Sequence, residues 1–124
     1  NNCFSLVAVE AAFRYGGEWL TQLLAYLESN IDYAWDYLKA NIPEIHFRKP
    51  ESTYLIWLDC RDLGLKGDAL PKFMVEQAGL ALNDGRSFGT EGAGYMRMNI
   101  ACPRCTLEKA LTQLKAAVDR HMGR

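Results

Sequence analysis

Arg97 and Asn99 stand two residues apart in the run Tyr95-Met96-Arg97-Met98-Asn99-Ile100. The run reads as a β-strand. Period-two alternation puts Met96, Met98 and Ile100 on one face and Tyr95, Arg97 and Asn99 on the other. The methionine–isoleucine face belongs to a core. The opposite face then carries a guanidinium on a rigid strand expected to be interior. An unpaired charge in such a place costs several kcal/mol, so Arg97 needs an anionic partner. Two partners satisfy that need. One is a carboxylate of the chain itself, in a structural salt bridge. The other is a ligand carboxylate, which a guanidinium grips with two parallel N–H···O bonds.

Residues 83–94 precede this strand and contain Gly85, Gly89, Gly92 and Gly94. They match neither G-x-G-x-x-G nor Walker spacing, which excludes a phosphate cradle. The stretch reads as a flexible loop, either the lining of a site or a solvated hairpin loop. Cys102-Pro103-Arg104-Cys105 is a C-x-x-C. Redox and zinc sites use that spacing. Cys3, Cys60, His46 and His121 supply no second ligand pair, and no thioredoxin-like βαβ pattern flanks the motif. The plainer reading is small apolar side chains at a strand-to-helix turn, with reduced thiols in a cytoplasmic setting. His46 and His121 are isolated, and no Ser/His/Asp or Cys/His set stands out.

The elements that must position these residues follow from the hydrophobic pattern. Phe4, Val7, Ala8, Ala11 and Ala12 have helical spacing over residues 4–15, and Gly16-Gly17 punctuates the run. A long helix is predicted from Glu18 to Asn41, with a stripe through Leu20, Leu24, Leu27, Ile31, Ala34 and Leu38, and Pro43 stops it. Tyr26, Tyr33, Trp35 and Tyr37 widen its apolar surface. That helix either packs on two sides or keeps a face for a neighbouring domain.

Residues 45–49 and 53–58 are strand candidates joined by the turn Pro50-Glu51-Ser52, an antiparallel hairpin. The second is apolar on both faces, as for an inner strand. Asp68 is a candidate N-cap for a helix through Leu70, Phe73 and Met74, ended by Gly79. Leu80-Ala81-Leu82 is a short strand candidate, and Thr106 caps a final helix with Leu107, Leu111, Leu114 and Val118 on one face. The order defines an α+β fold: a small, mainly antiparallel sheet covered by helices on one face, with a long N-terminal helix.

At 124 residues with 49% hydrophobic and 23% charged side chains, residues 1–124 are expected to form a single domain with a real core. The net charge is −1 and no basic stripe exists, which argues against nucleic-acid binding. No apolar run approaches the roughly 18 residues that span a bilayer. Asn1-Asn2-Cys3-Phe4 lacks an initiator Met and a basic n-region, so a signal peptide is not expected and a longer gene product is.

Three segments carry a family resemblance. Residues 50–58 (PESTYLIWL), residues 79–89 with Asn83-Asp84-Gly85 and Phe88-Gly89, and residues 94–104 around Arg97-Met98-Asn99 resemble the C-terminal part of fold-type I pyridoxal-phosphate (PLP) enzymes. The similarity is greatest to the MalY/PatB-type cystathionine β-lyases, also known as C–S lyases and often labelled aminotransferases. Ser5 to Trp19 resembles that subfamily's passage from the large domain into the small one.

The resemblance implies that Arg97 binds the α-carboxylate of an amino-acid substrate. It places Tyr54 at the substrate entrance, and Asp84 and Phe88 near the mouth of the site. It also implies PLP in a parent homodimer, held by a large domain N-terminal to these residues. PLP catalysis needs a Schiff-base lysine, an acid partner for the pyridine nitrogen and phosphate donors. None of Lys39, Lys49, Lys66, Lys72, Lys109 and Lys115 has the family's Ser-x-x-Lys-like surroundings. The chain alone is therefore expected to bind no PLP and to catalyse nothing. Ser52 stands where the family usually has Gly, so an altered turn is expected there. The alternative is a free-standing, non-catalytic α+β binding module whose partner surface is the aromatic long helix.

Overall fold

A computed structural model describes residues 2–124. Two helices open the chain, α1 (Cys3–Tyr15) and α2 (Gly17–Asn41). Strand β1 (Leu55–Asp59), helix α3 (Ala69–Glu76), strand β2 (Asn83–Asp84), strand β3 (Tyr95–Asn99) and helix α4 (Arg104–Met122) follow. The sheet is antiparallel with order β1-β3-β2, so the Arg97 strand is central. This is the expected α+β architecture.

Alternation sets the core. Ile56 and Leu58 of β1 and Met96 and Met98 of β3 are buried on one face. Leu27, Ile31, Ala34 and Leu38 of α2 and Leu107, Leu111, Leu114 and Val118 of α4 join them in one cluster. Each such aliphatic side chain contributes about 1.5–3 kcal/mol when fully buried. The stripe of α2 is continuous in sequence, but only its C-terminal half is covered. Leu20 and Leu24 are about half exposed, and α1 has no buried residue at all. A 13-residue helix is marginal alone in water. Phe4 and Phe13 of α1 and Trp19 of α2 nevertheless lie open.

Several local expectations are corrected. Residues 45–49 do not form a strand. His46 makes one isolated antiparallel bridge to Asp59, with N–O distances of 3.0 and 2.7 Å. The hairpin fails because Pro50 has no N–H to donate and Thr53 sits at φ 70°, which ends extended pairing there. The register partner of β1 is β3 instead, which makes β1 an edge strand rather than an inner one.

The left-handed backbone of this turn falls on Thr53, at φ 70°, not on Ser52. A β-branched residue in the left-handed region is a strained choice. Its hydroxyl oxygen accepts a hydrogen bond from the Leu55 amide at 3.2 Å.

Leu80–Leu82 is not a strand either. The Leu80 N–H is spent on the Met74 carbonyl (2.8 Å) and that of Leu82 on Leu80 (3.2 Å), so neither is available to β3. Asp68 makes no side-chain cap bond to α3; its carboxylate accepts from Arg86 Nη2 at 2.7 Å. Helix α4 starts at Arg104, before Thr106, with the Pro103 carbonyl accepting from the Thr106 and Leu107 amides.

Residues 83–94 are not a loose loop. They fold into two short 3-10 turns, Gly85–Phe88 and Thr90–Gly92, pressed together at two glycines. A Cβ on Gly85 would lie 2.2 Å from the Gly92 carbonyl oxygen, and one on Gly92 would lie 2.0 Å from that of Gly85. Only glycine allows this approach of backbone to backbone.

Candidate substrate-binding site

The face of the sheet opposite the core carries the chemistry. Register pairs Trp57 of β1 directly with Arg97 of β3, and Asn83 of β2 lies on the other side of Arg97. Arg97 is half-buried. Its Nη2 donates to Asn83 Oδ1 at 3.1 Å, and its Cζ lies 4.4 Å from the centroid of the Phe88 ring. Nε is buried and has no hydrogen-bond partner among the described residues. Among the described residues no carboxylate forms an ion pair with Arg97. A groove of about 270 Å³ beside it is lined by Leu80, Leu82, Asn83, Arg97, Met98 and Asn99, among others.

Two other arginines behave differently. Arg61 is held by both carboxylate oxygens of Asp59, at 2.9 and 2.7 Å. Arg86 is held by Asp84 at 2.9 and 2.6 Å and by Asp68 at 2.7 Å. Hydrogen bonds from these guanidinium groups pull the Asp59 and Asp84 carboxyls below their ordinary 3.8. The two charges are neutralised inside the domain, whereas that of Arg97 is not.

An aromatic ladder supports the face. Phe88, 52% exposed, meets Trp57 edge-on at 5.5 Å, and Trp57 stacks on Tyr95 at 5.8 Å. Arg61 Cζ then lies 5.1 Å from the Tyr95 ring. Such ring pairs add about 0.5–1.5 kcal/mol each beyond their buried area.

The structure brings Phe88 and Arg97 together and keeps Tyr54 apart from them. Tyr54 lines a separate groove with Leu24, Leu27, Glu28, Ile31 and Thr53. Asp84 lies beside Asn83, but its carboxylate is committed to Arg86, accepting from the Arg86 amide at 2.9 Å as well as from the guanidinium. Asn99 Oδ1 accepts from the Ala101 amide at 2.8 Å, closing a turn at the strand end. Sequence reasoning put Tyr95 on the Arg97 face without giving it a role, and missed Trp57 and Asn83 as neighbours of Arg97. The signal for Trp57 and Asn83 was the cross-strand register, hidden once β1 was paired with residues 45–49.

The remaining candidates stay structural. His46 pairs with Asp62 at 3.1 Å, and His121 Nε2 donates to the Leu63 carbonyl at 2.9 Å. All four cysteines are free. Burial, then Cys105, pushes the Cys102 thiol up, the opposite of what a redox nucleophile needs. No three metal-ligating side chains cluster among the described residues. No described helix is long and apolar enough to cross a membrane.

Lys49, Lys72 and Lys115 face Asp32, Glu76 and Asp119. The glycine-rich turns present no phosphate spacing.

No protein-family model matches the chain. Related proteins are found by sequence. Over 118 residues the chain is 38% identical to cystathionine beta-lyase PatB of Bacillus subtilis, covering 95% of the chain and 30% of that protein. Over 114 residues it is 41% identical to protein MalY of Escherichia coli, covering 92% and 29%. A PLP-bound structure from Clostridium difficile 630, described as an aminotransferase, superimposes with a TM-score of 0.93 at 52% identity, covering 95% of the chain and 30% of that structure. Cystalysin from Treponema denticola, which contains PLP, gives 0.93 at 29% identity over 96% and 30%. The chain thus spans less than a third of the length of these relatives.

Fold and relatives together define the class: this chain is homologous to the small domain of fold-type I PLP-dependent enzymes. Within that class its relatives are the MalY/PatB-type cystathionine β-lyases, with PLP aminotransferases beside them.

Proposed function

We propose that residues 1–124 are the substrate-carboxylate-binding small domain of a PLP-dependent C–S lyase or aminotransferase acting on amino acids. The carrying observation is Arg97, a half-buried guanidinium on the central strand with no internal carboxylate. An amino-acid α-carboxylate supplies the missing anion. Held there, the substrate is fixed in orientation, which is catalysis by positioning. Asp84 serves the mouth indirectly by fastening the Gly85–Phe88 turn through Arg86. Tyr54 belongs to the entrance only through the turn at Thr53.

PLP and its lysine belong to a large domain outside these residues, in a cytoplasmic homodimer. The open apolar surface of α1 and the first half of α2 supports a large neighbour of that kind. The isolated 124 residues then bind no PLP and turn over no substrate.

The test is Arg97→Ala and Arg97→Lys in the full-length protein. The reading expects KM for amino-acid substrates to rise about 30- to 1000-fold, the scale of losing a buried charge partner. Cofactor absorbance should not change. An unchanged KM in both variants refutes the reading.

A further inference from the structure

Arg97 differs from Arg61 and Arg86 in what holds it. Those two are fixed by carboxylates, which take their N–H donors and cancel their charge. Arg97 is fixed by an aromatic face at 4.4 Å and an amide oxygen at 3.1 Å. Both are neutral. A ring face attracts a cation without consuming a donor. The side chain is therefore oriented while its charge is kept.

The geometry points to Phe88 and Asn83 as positioning residues that hold the Arg97 guanidinium in one plane and leave only its outer end open, so that a substrate carboxylate is gripped end-on. This rests on the carboxylate-binding reading of Arg97. Nε is buried, and Nη2 already serves Asn83. The side edge formed by Nε and Nη2 is closed to a ligand. Nη1 has no hydrogen bond among the described residues, and Nη2 keeps a second N–H. These two nitrogens form the free end, and their spacing matches the two oxygens of a carboxylate.

The platform is itself held. Phe88 meets Trp57 edge-on, at an interplanar angle of 76°. The turn that carries it is fastened by Asp84 and Asp68 through Arg86, and by the contact of Gly85 with Gly92. Phe88 is the last residue of this turn, and Gly89, at φ 129°, releases the chain afterwards.

The experiment uses the full-length protein with Phe88→Leu, Phe88→Trp and Asn83→Ala. Phe88→Leu should raise KM for an amino-acid substrate about 3- to 30-fold with a smaller change in kcat, the scale of one partly buried cation–π contact. Phe88→Trp should restore it, and Asn83→Ala should also raise KM. Adding Phe88→Leu to Arg97→Lys should cost little more than Arg97→Lys alone, because the two act through one group. The Arg97 Nε–H NMR resonance should exchange slowly with solvent in the parent and faster in Phe88→Leu. A ligand-bound crystal structure should place the carboxylate oxygens on Nη1 and Nη2. A wild-type KM in Phe88→Leu, or a carboxylate seated on Nε, overturns the inference. So does equal loss in Phe88→Leu and Phe88→Trp with equal falls in melting temperature. If Arg97→Lys leaves KM unchanged, the carboxylate reading itself falls. If Arg97→Lys raises KM and Phe88→Leu does not, only the positioning role falls.

Discussion

Asn30 and Arg104, 74 residues apart, join the long helix to the segment that follows the Arg97 strand: Arg104 Nε donates to Asn30 Oδ1 at 2.9 Å. Asn30 is fully buried, and its Nδ2 donates to the carbonyls of Ile100 and Cys102 at 3.0 Å each. The Arg104 guanidinium also lies 4.6 Å from the Tyr33 ring, and its amide donates to the Tyr26 hydroxyl at 2.6 Å. The aromatic residues of α2 therefore serve this junction in part.

Replacing Asn30 with Leu leaves the Cys102 carbonyl and Arg104 Nε without this partner, while the Ile100 carbonyl keeps only the Cys102 amide. Unsatisfied buried groups cost about 1–3 kcal/mol each, and partial relaxation reduces the sum. Asn30→Leu should lower unfolding free energy by about 2–5 kcal/mol, read from the urea midpoint.

The glycine pair gives a second test. Gly85→Ala or Gly92→Ala drives a methyl group into a carbonyl oxygen at 2.2 or 2.0 Å. Backbone must shift, and overpacking of this kind costs about 1–3 kcal/mol. The same shift should move Phe88 away from Arg97, so KM of the full-length protein should rise along with the loss in thermal stability. Gly64→Ala serves as a contrast: nothing lies within 4 Å of its Cβ, and only the strain of φ 70° applies.

Acid should loosen the ion pairs at the ends of β1 and β2. Hydrogen bonds from Arg61 and Arg86 depress the folded-state values of Asp59 and Asp84 below 3.8. A depressed carboxylate contributes stability that is complete above its unfolded value and lost as pH falls through the folded one. Urea midpoints should therefore fall as pH drops below about 4, and the slope should be shallower in Asp84→Asn.

The cysteines should sort by burial. Burial, aided by Asp59, pushes the Cys60 thiol up to about 12. Cys3 and Cys105 are exposed, and Cys102 is half-buried with a raised value. Mass spectrometry after brief iodoacetamide treatment at neutral pH should find Cys3 and Cys105 modified first, Cys102 slowly, and Cys60 only on unfolding.

Part of this was legible in the residues. The 3.6-residue stripe and Pro43 marked α2 to within a residue or so, and alternation across Met96, Arg97 and Met98 assigned both faces of β3 correctly. Alternation misled at Ile45 and Phe47. Both are buried, yet their backbone pairs at His46 alone. Burial of side chains fixes a pattern but not a ladder. Glycine content suggested a flexible loop at 83–94, because Gly85 and Gly92 need each other across seven residues and neither alone shows that need. Asp68 looked like a cap, but Arg86, 18 residues on, claims its carboxylate. The uncommitted state of Arg97 was invisible for the same reason: local pattern places a charge on a face, whereas only tertiary structure shows which carboxylates are already taken.

The most direct test compares an amino-acid substrate with its α-carboxamide in the full-length protein, with and without Arg97→Ala. If Arg97 binds the carboxylate, the parent should prefer the acid by about 100-fold or more in kcat/KM, and Arg97→Ala should erase most of that preference. Equal preference for the acid in parent and variant would contradict it.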